Sequence, residues 1–252
     1  MSTKDQTRLI ELEEENRQLR KSLSSMREFV HEGMAPYVTP EVLEEILKQE
    51  AGSAIQGERR IVTMMFADLR KSTELSEMMD PINYIRLVNH YFEDMIMIID
   101  SWQGNITSFV GDCLVTVFGA PRFNDGAASQ AVGSAVSMQR RMVAINKWNS
   151  EQGYPSIQMG IGIHTGEAIL GCVGSSTRMK YDMMGRNVNL ASRIEGFTRG
   201  GQILISSETL EAAGEKVIER PGSARWVSPK GINQKVLVHD VIGYGSLRLP
   251  SA

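Results

Sequence analysis

The amino-terminal segment carries apolar side chains at alternating intervals of three and four residues. Numbered as heptads abcdefg, the a positions are Leu9, Asn16, Leu23 and Val30, and the d positions are Leu12, Leu19 and Met26. So narrow an apolar stripe favours a coiled coil over a solitary amphipathic helix packed on its own domain. A single Asn at an a position fixes register and favours two parallel strands. Residues 1–32 therefore predict a parallel homodimeric coiled coil.

The heptad pattern stops in the segment that follows, residues 33–57. Gly33 and Pro36 end the coil, and Thr39-Pro40-Glu41 supplies an N-cap with Pro at the first helical position. These signals predict a short helix that ends at Lys48. The small and polar residues 51–57 predict a linker to a globular domain.

Beyond residue 57, strand-like and helix-like runs alternate. The strands are expected at 60–67, in a hairpin at 105–118, in a glycine-rich β pair at 157–173, and at 202–205, 225–228 and 234–241. The helices are expected at 72–100, 125–149, 186–197 and near 206–212. Apart from the last strands, the order β-α-β-β-α-β predicts an α+β fold with a ferredoxin-like split βαβ core. We expect this domain to span 58–242, with 243–252 as a tail.

Composition narrows the possible partners. The formal net charge of −3 and the pI near 5.9 give no electrostatic reason to expect nucleic acid. The charged N-terminus does not resemble a secretory signal, and no apolar run reaches membrane-spanning length, so we expect a cytoplasmic protein without a membrane segment. Cys113 and Cys172 both fall in β-like runs, where small buried side chains are expected and a disulfide is not.

Two aspartates stand at predicted strand ends. Asp68 follows the apolar run RIVTMMFA, and Asp112 lies in the Gly-Asp turn of the hairpin ITSFVGDCLVTVF. In the split βαβ arrangement the first strand lies beside the middle hairpin, so both carboxylates can reach one edge of the sheet. Such a pair beside a helix start is typical of a Mg²⁺ site that takes its other ligands from water and phosphate. The alternative is two unrelated turn-forming aspartates.

Five motifs together resemble a known family. FADLRKSTELSE, FVGDCLVTVFGAP, GIGIHTGEAILGCVG, YDMMGRNVNLASRIE and SPKG occur in the order found in the catalytic domain of class III nucleotide cyclases. The similarity covers roughly residues 58–242. YVTPEVLEEIL also resembles the transducing segment that often follows a sensor domain in this family. The resemblance implies a head-to-tail homodimer with two composite sites at its interface.

The resemblance also implies roles for individual residues. Asp68 and Asp112 match the aspartates that hold two Mg²⁺ or Mn²⁺ ions, and the backbone carbonyl of Leu69 would complete one metal site. The amides of Leu69, Arg70, Lys71, Ser72 and Thr73 would cradle the phosphates. The partner chain would supply Asp182 for the exocyclic amine of the base, Asn189 and Arg193 for the ribose and α-phosphoryl group, and Lys230 for the terminal phosphates.

Each of these residues also has an ordinary structural interpretation. Asn189 and Arg193 lie four residues apart, as on any helix surface. Lys230 could be a plain turn lysine. His164 lies inside an alternating β segment and is expected to be a packed structural histidine. The glycines at 160, 162 and 166 lack the spacing of a dinucleotide-binding loop.

One position departs from the family. Adenylate-forming members usually carry Lys four residues before the Asp of the turn, where this chain has Ser108; guanylate-forming members usually carry Glu there and a small residue at position 182. Asp182 accepts hydrogen bonds, which suits the amino group of adenine and opposes the O6 of guanine. Ser108 can donate to the N1 atom of adenine, directly or through a water, although its reach is shorter than that of Lys. ATP therefore fits best, and CTP shares the amino group.

These observations predict a Mg²⁺- or Mn²⁺-dependent adenylate cyclase that forms 3′,5′-cyclic AMP and pyrophosphate from ATP. Two alternatives remain open at this point. One is a degenerate domain that binds a nucleotide without turnover and serves as a regulatory dimerisation module. The other is a guanylate cyclase, which Asp182 disfavours.

Overall fold

The computed structural model describes residues 3–34, 42–43, 57–175, 178–232 and 234–250. The chain divides into two compact units, Met1–Gly52 and Ser53–Ala252. In the first unit, helix α1 (Thr3–Met34) covers the predicted heptads. The predicted short helix that ends at Lys48 lies outside the described residues, except that Val42 and Leu43 are helical.

The second unit contains ten strands, five α-helices and one short 3₁₀ helix (Gly214–Lys216) within its described residues. The strands are β1 (Glu58–Leu69), β2 (Asn105–Val110), β3 (Cys113–Phe118), β4 (Met159–Ser175), β5 (Arg178–Met184), β6 (Ile203–Ser206), β7 (Val217–Glu219), β8 (Arg225–Val227), β9 (Val236–Tyr244) and β10 (Leu247–Arg248). The helices are α2 (Ser72–Met78), α3 (Pro81–Ser101), α4 (Ala127–Glu151), α5 (Arg186–Glu195) and α6 (Ser207–Ala213). Among the described residues, none of the helices combines the length and the hydrophobicity that a membrane span requires.

The strands form one sheet in the order β10-β9-β6-β4-β1-β3-β2, with β5 paired to β4 and with β7 and β8 paired to β9. Its central run β4-β1-β3-β2 has the strand order of a split βαβ core, so the predicted α+β fold is confirmed. β1 lies between β3 and β4 and pairs antiparallel with both.

β1 is buried on both faces, as its continuous apolar run predicts. Met65 and Ala67 pack into the larger hydrophobic cluster, which includes residues of α3 and α4. Val62 and Met64 point to the opposite face and pack in a second cluster that includes Ala191 of α5. This alternation fixes the register of β1, and with it the place where β1 ends.

Three predicted elements differ from the structure. The helical run 72–100 is interrupted at Met79, which is extended, because Asp80 caps α3 by accepting from the amides of Ile82 and Asn83. The glycine-rich pair at 157–173 is instead one strand of 17 residues, β4, whose second half pairs with the unpredicted β5. The sheet also continues into the predicted tail, where β10 pairs with β9.

Candidate active site

The end of β1 and the turn of the β2–β3 hairpin meet at one edge of the sheet. The β1–β3 register pairs Ala67 with Leu114, which leaves Asp68 and Asp112 just beyond the last pair. The turn is possible because Gly111 adopts a positive φ of 62°. The backbone N–H of Leu69 donates to Oδ2 of Asp112 at 3.2 Å. The two predicted carboxylates are therefore brought together.

This pair of carboxylates carries unfavourable negative charge. The pKa of Asp68 is raised, first by burial and then by the neighbouring Asp112 carboxylate, while Arg70 opposes the rise. Nη2 of Arg70 lies 3.0 Å from Oδ2 of Asp68. Two adjacent, partly buried carboxylates suit a divalent cation, because oxygen ligands and excess negative charge are what Mg²⁺ and Mn²⁺ bind. No group of three or more His, Cys, Asp and Glu side chains suited to a metal occurs in the described residues.

Glu195 is part of this cluster. It is the last residue of the motif YDMMGRNVNLASRIE, but the family resemblance gave it no role. It ends α5 and forms a short ion pair with Nη2 of Arg70. Burial raises the pKa of Glu195 to about 7, against the opposing effect of Arg70. Arg70 thus joins Asp68 at the end of β1 to Glu195 at the end of α5. The two residues of that ion pair are 125 positions apart, so only the tertiary fold connects them.

α5 approaches the sheet closely because β4 has a glycine where the helix crosses it. A Cβ atom placed on Gly162 would lie 2.7 Å from Cβ of Glu195, and closer still to the backbone N and Cα atoms of that residue. The glycines of GIGIHTG therefore allow helix-to-strand contact, and the rejection of a dinucleotide-binding loop agrees with their position inside a strand.

The loop between β1 and α2 has only some of its amides available. The N–H of Leu69 is engaged by Asp112, and the N–H of Arg70 donates to the carbonyl of Gln158 at 2.7 Å. Lys71 takes a left-handed conformation with φ 59°, and the helix starts at Ser72. The first amides of a helix have no intrahelical acceptor. Of the five backbone amides predicted to bind phosphate, those of Lys71, Ser72 and Thr73 therefore remain as predicted donors.

Ser108 and Asp182, the two residues predicted to face the base, both contact the side chain of Lys180. Ser108 lies on β2 and Asp182 on β5. Nζ of Lys180 lies 3.1 Å from Oγ of Ser108 and 2.9 Å from Oδ2 of Asp182. Lys180 was not selected by sequence reasoning, because β5 itself was not predicted.

The remaining predicted residues lie on other elements of the fold than the two carboxylates. Asn189 and Arg193 lie one turn apart on α5 and are exposed. Lys230 is exposed in the turn that follows β8. Within the described parts of the chain, no side-chain hydrogen bond or ion pair links these three residues to Asp68 or Asp112. Their predicted roles remain predictions.

His164 is a packed histidine, as its β pattern predicts. It is buried, with Nδ1 2.8 Å from Oγ of Ser206 and Nε2 3.3 Å from Oδ1 of Asn187. Burial lowers the pKa of His164, which favours the neutral ring. Asn187 in turn donates to the carbonyl of Glu167, so His164 helps hold the start of α5 against β4.

Comparison with known proteins identifies this arrangement. Residues 56–223 match the family model described as "Adenylate and Guanylate cyclase catalytic domain". An adenylate cyclase of Anabaena cylindrica is 32% identical over 238 residues, 88% of this chain and 44% of that protein. Adenylate cyclase 1 of Rhizobium meliloti is 31% identical over 188 residues, 73% of this chain and 28% of that protein. The chain thus spans less than half the length of these two relatives.

Solved structures agree with the family match. The guanylyl cyclase Cya2 is 41% identical with a TM-score of 0.75, covering 77% of this chain and 99% of that one. The adenylyl cyclase CyaB from P. aeruginosa is 33% identical with a TM-score of 0.72, covering 78% of this chain and 100% of that one. The carboxylate pair, the fold and these similarities agree: the chain belongs to the adenylate and guanylate cyclase catalytic-domain family.

Proposed function

We propose that this protein converts ATP to 3′,5′-cyclic AMP and pyrophosphate at composite sites formed by two copies of the chain. The observation that carries the proposal is the meeting of Asp68 and Asp112 at one sheet edge in a member of the cyclase family. In this reaction the 3′-oxygen of ATP attacks its own α-phosphorus in line. The bond from that phosphorus to the bridging oxygen of pyrophosphate breaks, and the hydroxyl proton is lost to water.

Asp68, Asp112 and the carbonyl of Leu69 would hold Mg²⁺ or Mn²⁺, which when bound neutralises phosphate charge and lowers the pKa of the attacking hydroxyl. The chain's own contribution is positioning and charge. Asn189 would orient the ribose, Arg193 would give planar N–H donors to the α-phosphoryl group, and Lys230 would bind the terminal phosphates. These roles rest on the family resemblance and on the exposure of all three side chains.

The proposal of a head-to-tail homodimer has support from the surface. Asn189, Arg193 and Lys230 are accessible to another molecule and are not tied to the carboxylates of their own chain. Large apolar side chains are also exposed on the β2–β3 and β4–β5 hairpins: Phe109, Val110, Val173, Met179 and Met184. Such a surface is typical of an interface.

The helix α1 supports a parallel association of the same two chains. Its heptad residues Leu12, Leu19 and Leu23 are 46%, 63% and 56% exposed, so their side chains are accessible for packing against a second helix. We propose that α1 pairs as a coiled coil and passes a signal from a sensor domain, as the transducer-like segment suggests.

ATP is the proposed substrate because Asp182 accepts hydrogen bonds and matches the amino group of adenine. GTP is a second candidate, because Cya2, at 41% identity, is a guanylyl cyclase. Asp182 opposes GTP, since a carboxylate facing the O6 of guanine would place two acceptors together.

Mixing inactive variants tests the composite site. Asp68→Asn removes a metal ligand and Arg193→Ala removes a phosphate contact, so each homodimer should lose at least 100-fold in turnover, roughly the cost of one electrostatic contact to the transition state. If the two residues come from different chains, a heterodimer contains one intact site. Random equimolar mixing with exchange of subunits should then restore about a quarter of wild-type activity.

The matched control mixes Asp68→Asn with Asp112→Asn, two residues of the same half-site. Each composite site in that heterodimer carries one defect, so no recovery is expected. No recovery in the Asp68→Asn and Arg193→Ala mixture, despite demonstrated exchange, would contradict a site shared between chains. Recovery in both mixtures would contradict the assignment of Asp68 and Asp112 to one half-site.

A further inference from the structure

A lysine outside every recognised motif position occupies the proposed base end of the site. Lys180 and Asp182 are two residues apart on β5, so their side chains leave the same face of the strand. The ammonium group of Lys180 contacts Oδ2 of Asp182 at 2.9 Å and Oγ of Ser108 at 3.1 Å. The sequence separation of 72 residues between Lys180 and Ser108 shows that the fold creates this contact.

The contacts with Ser108 and Asp182 leave one N–H donor of Lys180 available to a ligand. A lysine ammonium has three N–H donors, and two are directed at Ser108 and Asp182. The side chain of Lys180 is 50% exposed and that of Asp182 is 26% exposed, so both can reach a ligand. The carboxylate of Asp182 is also fixed in orientation, because Oδ1 accepts from the N–H of Met183 at 2.9 Å.

We propose that Lys180 reads the base, supplying from β5 the cationic donor that Ser108 does not provide from β2. The inference rests on the proposed function and names the residue that sets its base selectivity. Lys180 donates its third N–H to the N1 atom of adenine, while Asp182 accepts from the adjacent amino group. Ser108 accepts from the ammonium and holds it at the N1 position.

This arrangement distinguishes purines by the order of donor and acceptor. Adenine presents an acceptor at N1 and a donor at position 6, which match a Lys donor followed by an Asp acceptor. Guanine presents the reverse order, a donor at N1 and an acceptor at position 6. Guanine would place two donors together at N1 and two acceptors together at position 6, so the order favours adenine. An ion pair of Lys180 and Asp182 that is merely structural would give no dependence on the N1 atom.

The test compares ATP with 1-deaza-ATP, in which a C–H group replaces N1. Loss of a hydrogen bond to a charged group corresponds to roughly a 10- to 100-fold loss. The wild-type protein should therefore prefer ATP over 1-deaza-ATP by about that factor in kcat/KM. Lys180→Met keeps much of the side-chain length without the ammonium, and should accept the two nucleotides about equally. Because the comparison is made on one protein, partial misfolding cancels from the ratio.

Lys147→Met is the matched control, since Lys147 is an exposed lysine on α4 that pairs with Glu151. It should keep the wild-type preference. The proposal is overturned if Lys180→Met still prefers ATP over 1-deaza-ATP as strongly as wild type, or if wild type shows no preference.

Equilibrium binding of the same two nucleotides, with Mg²⁺ present, separates this inference from the proposed function. If the wild-type protein binds ATP but forms no cyclic product, the cyclase proposal fails while the ratio of the two Kd values still tests Lys180. A ratio of about 10 or more that is lost in Lys180→Met supports Lys180 in either case. Failure of the wild-type protein to bind either nucleotide overturns both proposals.

Discussion

Replacing Gly162 with Ala should disturb both the stability of the domain and the geometry of α5. Gly162 lies in β4, paired with Phe66 of β1 on one side and with Leu204 of β6 on the other. The added Cβ would meet the backbone N and Cα of Glu195, and would lie 2.7 Å from its Cβ. These atoms belong to the helix itself, so no side-chain rotation relieves the contact.

The size of the effect follows from this overlap. Overpacking by one methyl group typically costs about 1–3 kcal/mol. For a domain of this size each kcal/mol lowers Tm by about 2–4 °C, so we expect a fall of roughly 2–12 °C. If α5 moves to relieve the contact, Asn189 and Arg193 move with it. A displacement of about 1 Å at a positioning residue can cost around 100-fold in kcat.

Gly196→Ala is the matched control, one residue beyond the end of α5. Its Cβ would lie 3.5 Å from the carbonyl oxygen of Arg193, an ordinary contact, and Gly196 has a helical φ of −60°. It should change stability by no more than about +0.4 to +1 kcal/mol. Urea unfolding and thermal melts give the stability of both variants, and cyclase turnover reports the effect on the active site. Wild-type stability and turnover for Gly162→Ala would refute the close approach of α5 to β4.

Three further changes have defined outcomes. The raised pKa of Glu195, about 7, means that its contribution to stability is fully present below about pH 4.5 and is lost as the pH rises through 7. Glu195→Gln should therefore raise the free energy of unfolding at pH 8 relative to wild type by about 1–3 kcal/mol, and should not do so at pH 4; equal effects at both pH values would contradict the burial of this carboxyl. The buried carboxylate of Asp94 accepts hydrogen bonds from Nε and Nη2 of Arg141, both at 2.8 Å. Arg141→Ala removes these donors and should lower the free energy of unfolding in urea by about 1–3 kcal/mol. An unchanged free energy of unfolding would show that water replaces them. Asn16→Leu should raise the Tm of the proposed coiled coil and loosen its register, and a Tm independent of protein concentration would count against pairing of α1.

The elements that sequence reasoning identified are those whose signal is local. The run RIVTMMFA is apolar on both faces and became the central strand β1, and the Gly-Asp turn became the hairpin that presents Asp112. Because the split βαβ order places that hairpin beside β1, the meeting of Asp68 and Asp112 could be predicted as well.

The parts that were missed depend on tertiary contact. The glycines of β4 suggested turns, but those at 160, 162 and 166 lie where Thr198, Glu195 and Asn187 approach the strand. That misinterpretation divided β4 in two and left β5 unpredicted, although residues 178–183 alternate between polar and apolar side chains. Glu195 and Lys180 were missed for the same reason, since their partners Arg70 and Ser108 are distant in sequence.

Product identification distinguishes the proposed adenylate cyclase from its alternatives. The purified protein, with Mn²⁺ and with Mg²⁺, is offered ATP, GTP, CTP and UTP separately, and the products are identified by mass. We expect cyclic AMP and pyrophosphate as the main products, and we expect both to be lost in Asp68→Ala and in Asp112→Ala. Cyclic GMP as the main product would contradict the role given to Asp182. A folded dimer that binds ATP but releases no pyrophosphate with either metal would contradict the cyclase itself and favour a nucleotide-binding dimerisation module.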